Sequence, residues 1–229
     1  SADTLLQRVQ LERWARRPAL EERALKRLLA RHPDHTDGLY ALARLRRRQG
    51  RWAAAGRVLD RLLSVQPFAV GPWLLRARVH VIRGRPDRAA RSLLAALEAT
   101  ADSLAVAREL FRLYLRQGQR KRARDLIRLL QVHEAAPYLT FVAELEARLG
   151  RWTEAFALLG RARRQDPHYG PALVRWARWK TRRGSPGDAW TVLARVKPAS
   201  AAYPAAQVAL AARRQARGDP TGALRGLQR

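Results

Sequence analysis

The chain has 229 residues, 47% hydrophobic and 28% charged, the balance of a folded protein rather than a disordered one. Lysine and arginine number 46 against 19 aspartates and glutamates; the net charge of +27 implies attraction to acidic proteins, anionic polymers or anionic membranes and says nothing of fold. Cysteine is absent, which excludes disulfides, thiolate nucleophiles and cysteine metal sites and suits periplasm and cytoplasm equally; methionine is absent even from position 1, so the chain is expected to be processed or to be a piece of something longer.

Residues 3–32 read as a helical hairpin, with Pro18 opening its second helix and Leu25, Leu28 and Leu29 on the buried face. His32, Pro33, Asp34 and His35 then mark a turn. Two imidazoles and a carboxylate can touch a metal, but the expected role is a turn with Asp34 capping the next helix.

A period then takes over. Glycine recurs at Gly50, Gly84, Gly118, Gly150, Gly184 and Gly218, in steps of 34, 34, 32, 34 and 34. Five residues after each stands an alanine (Ala55, Ala89, Ala123, Ala155, Ala189, Ala223). Four later comes Leu59, Leu93, Ile127, Leu159, Leu193 or Leu227. Seven before each glycine the residue is small (Ala43, Ala77, Ala143, Ala177, Ala211), with Phe111 the exception. Pro33, Pro67, Ala101, Ala135, Pro167 and Ala201 close the units.

The spacing predicts two short amphipathic helices per unit. The glycine ends the first helix in a left-handed conformation. The small residues let the two helices cross closely, and the leucines and isoleucine fill the gap to the next hairpin. No unit buries its apolar face alone, so neighbours must stack. The expected divisions are a divergent hairpin at 1–35, repeats at 36–69, 70–103, 104–135 (shortened by two residues), 136–169 and 170–203, and an incomplete repeat at 204–229.

Smaller signals have structural readings. Trp52 and Trp152 stand two residues after their glycines, and this repetition points to packing. Of Trp176 and Trp179, one is expected buried and the other exposed near Arg178 and Arg182. Arg120, Lys121, Arg122, Arg124 and Arg128 open a second helix as a solvated basic face, with nucleic acid as the alternative. Residues 198–212 are uncharged but Ala-rich with two prolines, wrong for a membrane span. No phosphate-binding glycine loop, nucleophile elbow or catalytic carboxylate pair is present, so no enzyme activity, metal or cofactor is expected.

The glycine, alanine and leucine positions together resemble the tetratricopeptide repeat family, over about 195 residues from Thr36 onward. The resemblance implies an all-α, right-handed superhelical solenoid of antiparallel helix pairs. It also implies that the first helix of each hairpin lines a concave surface. The inward stripe would be Tyr40, Arg44, Arg47 and Arg48, then Leu74, Arg78, Val81 and Ile82. Arg108, Arg112, Leu115 and Arg116 follow, then Thr140, Glu144, Ala147 and Arg148, then Val174, Arg178, Thr181 and Arg182. Ten of these twenty are arginine, against about six or seven expected from composition and exposure. An arginine-lined groove suits an acidic protein segment, since guanidinium forks pair with carboxylates.

Arg44, Arg78, Arg112, Glu144 and Arg178 replace the asparagine by which chaperone-binding members hold a terminal carboxylate, so that mode is not expected. The expected function is a non-catalytic scaffold for an acidic partner. An anionic polysaccharide or RNA is the alternative, and RNA is disfavoured because Tyr40 is the only aromatic in the stripe. A second, shorter resemblance covers residues 5–67. Leu5, Leu6, Val9, Leu11, Pro33, Gln49, Gly50, the run at 59–62 and Pro67 are similar to the periplasmic repeats of the bacterial cellulose-export outer-membrane subunit. It implies a periplasmic arm in exopolysaccharide secretion. Leu210, Leu224 and Leu227 would be left uncovered at the last repeat and could support self-association.

Overall fold

The computed structural model describes residues 2–100, 104–184, 187–216 and 218–219. Among them are thirteen α-helices and no strand. The chain forms two compact units, Ser1–Ala123 and Arg124–Arg229.

The first unit contains α1 (Ala2–Trp14), α2 (Pro18–Arg31), α3 (Thr36–Arg48), α4 (Trp52–Val65), α5 (Val70–Ile82), α6 (Pro86–Ala99), α7 (Leu104–Arg116) and the start of α8 (Arg120–Leu130). Consecutive helices pack against each other from α1 to α7. The reason lies in the small residues. Ala43 on α3 and Ala55 on α4 are fully buried, and with Leu59, Leu75 and Val79 they form one core cluster, against which Tyr40, Trp52 and Val58 pack. Each leucine buried this way contributes about 1.5–3 kcal/mol. The opening hairpin is built alike: Val9, Ala24 and Leu25 pack with Leu45 of α3. Pro18 is the first residue of α2, and Leu25 and Leu28 are sealed, while Leu29 is half-buried.

The second unit holds the rest of α8 and then α9 (Ala136–Arg148), α10 (Trp152–Gln165), α11 (Gly170–Arg182), α12 (Ala189–Ala194) and α13 (Tyr203–Ala216). Its terminal core is Leu173, Ala177, Ala189, Val192, Leu193, Val196 and Ala206. α12 has only six residues. Gly187, at φ +34°, precedes it, and Pro198, without an amide hydrogen, follows soon after.

The periodic glycines end helices as the spacing requires. At Gly50 φ is +71°. Its N–H donates to the Arg47 carbonyl at 3.1 Å, and the Arg51 N–H donates to the Arg46 carbonyl at 2.9 Å. That pair of bonds needs a left-handed residue between them, which a side chain disfavours. Gly84, Gly118, Gly150, Gly184 and Gly218 all have φ between +67° and +83°.

Three readings are corrected. Asp34 does not cap α3: the His35 Nδ1 accepts from the Gly38 N–H at 3.1 Å, and Asp34 pairs instead with Arg61 at 3.1 Å. Neither Trp176 nor Trp179 is fully buried or exposed; both are half-buried, edge-on to Phe156, with Trp179 also edge-on to Trp152. Leu210 is half-buried against the terminal core rather than bare. Ala101, Ala223, Leu224 and Leu227 lie outside the described residues. Among the described residues no helix is long and apolar enough to cross a membrane.

Candidate ligand grooves

In the first unit α3, α5 and α7 present their stripes to two adjoining grooves that share Leu74 and Arg78. One, of about 310 Å³, is lined by Tyr40, Arg44, Arg47, Gly71, Leu74, Leu75 and Arg78. Gly71 makes room for Tyr40: a Cβ there would lie 2.9 Å from the Tyr40 hydroxyl. Arg44 lies over the Tyr40 ring, 5.8 Å from its centroid. Among the described residues no carboxylate pairs with Arg44, Arg47 or Arg78. The Arg47 Nε is sealed from solvent without a hydrogen-bond partner. Three cations therefore line one cavity without a paired carboxylate among the described residues.

The adjoining groove, of about 380 Å³, has a different character. Its lining is apolar at Leu74, Ala77, Val81, Ile82, Leu93 and Leu113 and charged at Arg78, Glu109, Arg112 and Arg116. Val81 and Ile82 are exposed there. Glu109 accepts from Arg112 at 2.9 Å and so removes part of that charge.

Arg48 stands apart from the other arginines of its helix. Its Nη2 donates to both oxygens of Glu21, at 2.6 and 2.5 Å, across the seam between α2 and α3. Glu21 is buried, so this guanidinium is the counter-ion of a buried carboxylate and lines neither groove. Beside it Gln49 donates to Glu22 at 3.1 Å. That bond, helped by Lys26 and Arg46, holds the Glu22 carboxyl at a pKa of about 2. Arg108 is exposed and outside both grooves.

In the second unit Arg148 is drawn onto Glu144 of its own helix at 3.0 Å, and the other oxygen of Glu144 accepts from Arg175, also at 3.0 Å. Arg178 and Arg182 line a third cavity, of about 270 Å³, with Val174, Thr181, Trp190 and Leu193 among its walls. Trp190 was not among the expected site residues, because no spacing rule singles it out.

A signal that sorts these arginines was present in the sequence. Glu21, Asp34 and Glu134 each have an arginine 27 residues on, and each makes that ion pair, with Arg48, Arg61 and Arg161. One period forward and about two helical turns back brings the two side chains together across neighbouring helices.

The family model of the tetratricopeptide repeat matches residues 15–72, 40–103 and 108–169, well over half of the chain. The chain belongs to the tetratricopeptide repeat family. Two solved structures, those of the Parabacteroides merdae protein and of MamA, agree on the fold. A tetratricopeptide repeat protein from Parabacteroides merdae superposes with a TM-score of 0.54 at 16% identity, over 98% of this chain and 90% of that one. The MamA protein gives 0.50 at 13% identity, over 72% of this chain and 92% of the other. A thermophilic tetratricopeptide protein of Thermus thermophilus gives 0.45 at 20% identity, over 78% and 98%. No curated protein sequence matches the chain.

Members of the tetratricopeptide family bind proteins or peptides and are typically non-catalytic, so the fold is that of an interaction scaffold. The family match to residues 15–72 is to the general repeat and lends no separate support to a cellulose-export arm.

Proposed function

We propose that this tetratricopeptide protein is a non-catalytic scaffold that holds an acidic segment of a partner protein in the arginine groove of its first unit. The observation that carries the reading is the cluster of Arg44, Arg47 and Arg78 about one cavity, without a paired carboxylate. Carboxylates of an incoming segment would complete the pairing. The adjoining apolar lining of Leu74, Val81 and Ile82 favours a segment in which acidic residues are followed by an apolar one. An extended or helical peptide can supply both along its length.

The test is fluorescence anisotropy with a labelled peptide of alternating Asp and Glu ending in Leu-Leu, against the wild type and the Arg44→Gln/Arg47→Gln/Arg78→Gln variant. Three partly exposed pairs at about 0.2–1 kcal/mol each predict a loss of roughly threefold to a hundredfold in affinity. Equal affinity of the variant would remove the groove from the function. A single-stranded RNA of similar length that binds more tightly than the peptide, with steep salt dependence, would replace the protein partner with a nucleic acid.

A further inference from the structure

The cavity between α11, α12 and α13 differs in chemistry from the arginine groove, and nothing in the family assignment says what it holds. We infer that it is a second peptide site, which takes one apolar side chain flanked by two carboxylates. The inference stands on the second unit alone and does not require the first groove to bind anything.

The cavity's interior is apolar. Val174 of α11, Trp190 and Leu193 of α12 and Ala209 of α13 line it. Its volume of about 270 Å³ falls below the ~300–1,000 Å³ of sites that enclose a drug-sized molecule. It therefore fits a side chain rather than a whole cofactor. Alanine on α13 leaves the space that a larger residue would close. α13 also exposes Val208, the residue before Ala209.

The charge at the mouth identifies the rest of the ligand. Arg178 and Arg182 line the same cavity, lie one turn apart on α11, and are exposed. Carboxylates of this unit are engaged elsewhere: Asp125 by Arg128, Glu134 by Arg161, Glu144 by Arg148 and Arg175, Glu146 and Glu154 by Arg151, Asp188 by Arg163, and Asp166 by the His168 N–H. Among the described residues neither Arg178 nor Arg182 has an acidic partner. Four residues of helix separate them by about 6 Å, and two residues of extended chain span about 6.5 Å. In an Asp-Leu-Asp or Asp-Phe-Asp step the central side chain enters the cavity and the two carboxylates, on the opposite face of the extended chain, lie outward at its rim, where the exposed Arg178 and Arg182 reach them on their flexible stems. A fully polar acidic segment would leave the apolar interior unfilled, and a purely apolar one would leave the two arginines unmet.

Trp190 provides the readout. Its indole N–H resonance in the full chain, assigned with Trp190→Phe, is followed by NMR during titration with acetyl-Asp-Leu-Asp-amide. The expected result is a saturable shift with Asp-Leu-Asp that is at least about fivefold weaker in affinity with Asn-Leu-Asn and with Asp-Ser-Asp. Arg178→Gln/Arg182→Gln and Ala209→Leu should each weaken binding by a similar factor. Arg44→Gln/Arg47→Gln/Arg78→Gln should leave it unchanged, so failure of the first-unit groove is told apart from failure here. If Ala209→Leu lowers the melting temperature, Ala205→Leu, at an exposed position lining the same cavity, replaces it. An unmoved Trp190 resonance, or equal binding of Asp-Ser-Asp, overturns the inference. Tighter binding of free decanoate than of the peptide overturns the assignment to a protein segment.

Discussion

Replacing Arg48 by methionine separates the structural arginines of this chain from its ligand-binding ones. The Arg48 side chain is 41% exposed, whereas the Glu21 side chain it neutralises is 3% exposed. Methionine keeps most of the apolar stem and removes the charge, so Glu21 loses both hydrogen bonds from Arg48 while still sealed between α2 and α3. Breaking a fully buried pair from one side costs about 3–5 kcal/mol. Water reaches the guanidinium here, so the lower range for an unsatisfied buried acceptor applies, about 1–3 kcal/mol. For a chain of this length 2 kcal/mol corresponds to a fall of about 4–8 °C in melting temperature. Thermal melts of Arg48→Met, Glu21→Gln and the double variant measure it. The double variant should recover part of the loss, because a neutral amide is cheaper to bury than an unpaired carboxylate. Binding of the acidic peptide should be unchanged in all three. If Arg48→Met melts like the wild type and binds the peptide as poorly as the Arg44, Arg47 and Arg78 variant, Arg48 belongs to the groove and the pairing with Glu21 is incidental.

Three further outcomes follow from the geometry. Gly118→Ala should destabilise by about 1–2 kcal/mol through its φ of +69° alone, since no atom lies within 4 Å of a Cβ there. Gly56→Ala, inside α4 with only Val79 at 3.7 Å, should stabilise by about 0.5–1 kcal/mol; urea titration checks both, and the same sign at both positions refutes the reasoning. Burial pushes the Glu146 carboxyl above its ordinary 4.5, with Arg151 opposing. The fold therefore favours the protonated form, and stability should fall as pH rises from about 4.5 through the folded-state pKa. Glu146→Gln should lose that slope in melts between pH 4 and 8, and a difference from wild type that ignores pH would count against burial as the cause. For Glu22 the sign is opposite: its stabilisation is full above 4.5 and lost as pH falls through about 2. Removing its hydrogen-bond donor in Gln49→Ala should raise the Glu22 pKa measured by carboxyl NMR titration, and an unchanged value would mean that the neighbouring cations alone set it.

The opening hairpin and the glycine series show what local order makes readable. Pro18 can start a helix but not continue one, and a glycine can take the left-handed turn that ends one. Both statements concern a few consecutive residues, so they can be read without knowing what lies across the fold. The same holds for Ala43 and Ala55, whose recurrence with the period already implied a close crossing. Pairs within one helix, such as Glu144 with Arg148 and Glu109 with Arg112, were also open to reading from their three- and four-residue spacing. The capping of α3 was misread because His35 and Asp34 are both capable acceptors, and Arg61, 27 residues on, claims Asp34.

Helix pairing was thus written in the chain's 34-residue period, because backbone turns and small-residue crossings depend on near neighbours. Which arginines remain free was settled only by the fold. With 46 cations and 19 carboxylates, every acid has many candidate partners, and the packed helices choose among them. They assign Arg48 to Glu21 and leave Arg44, Arg47 and Arg78 without a carboxylate partner among the described residues. The cavity beside Trp190 belongs to the same class of property. It exists because three helices leave a space between them, and no single stretch of residues contains that space.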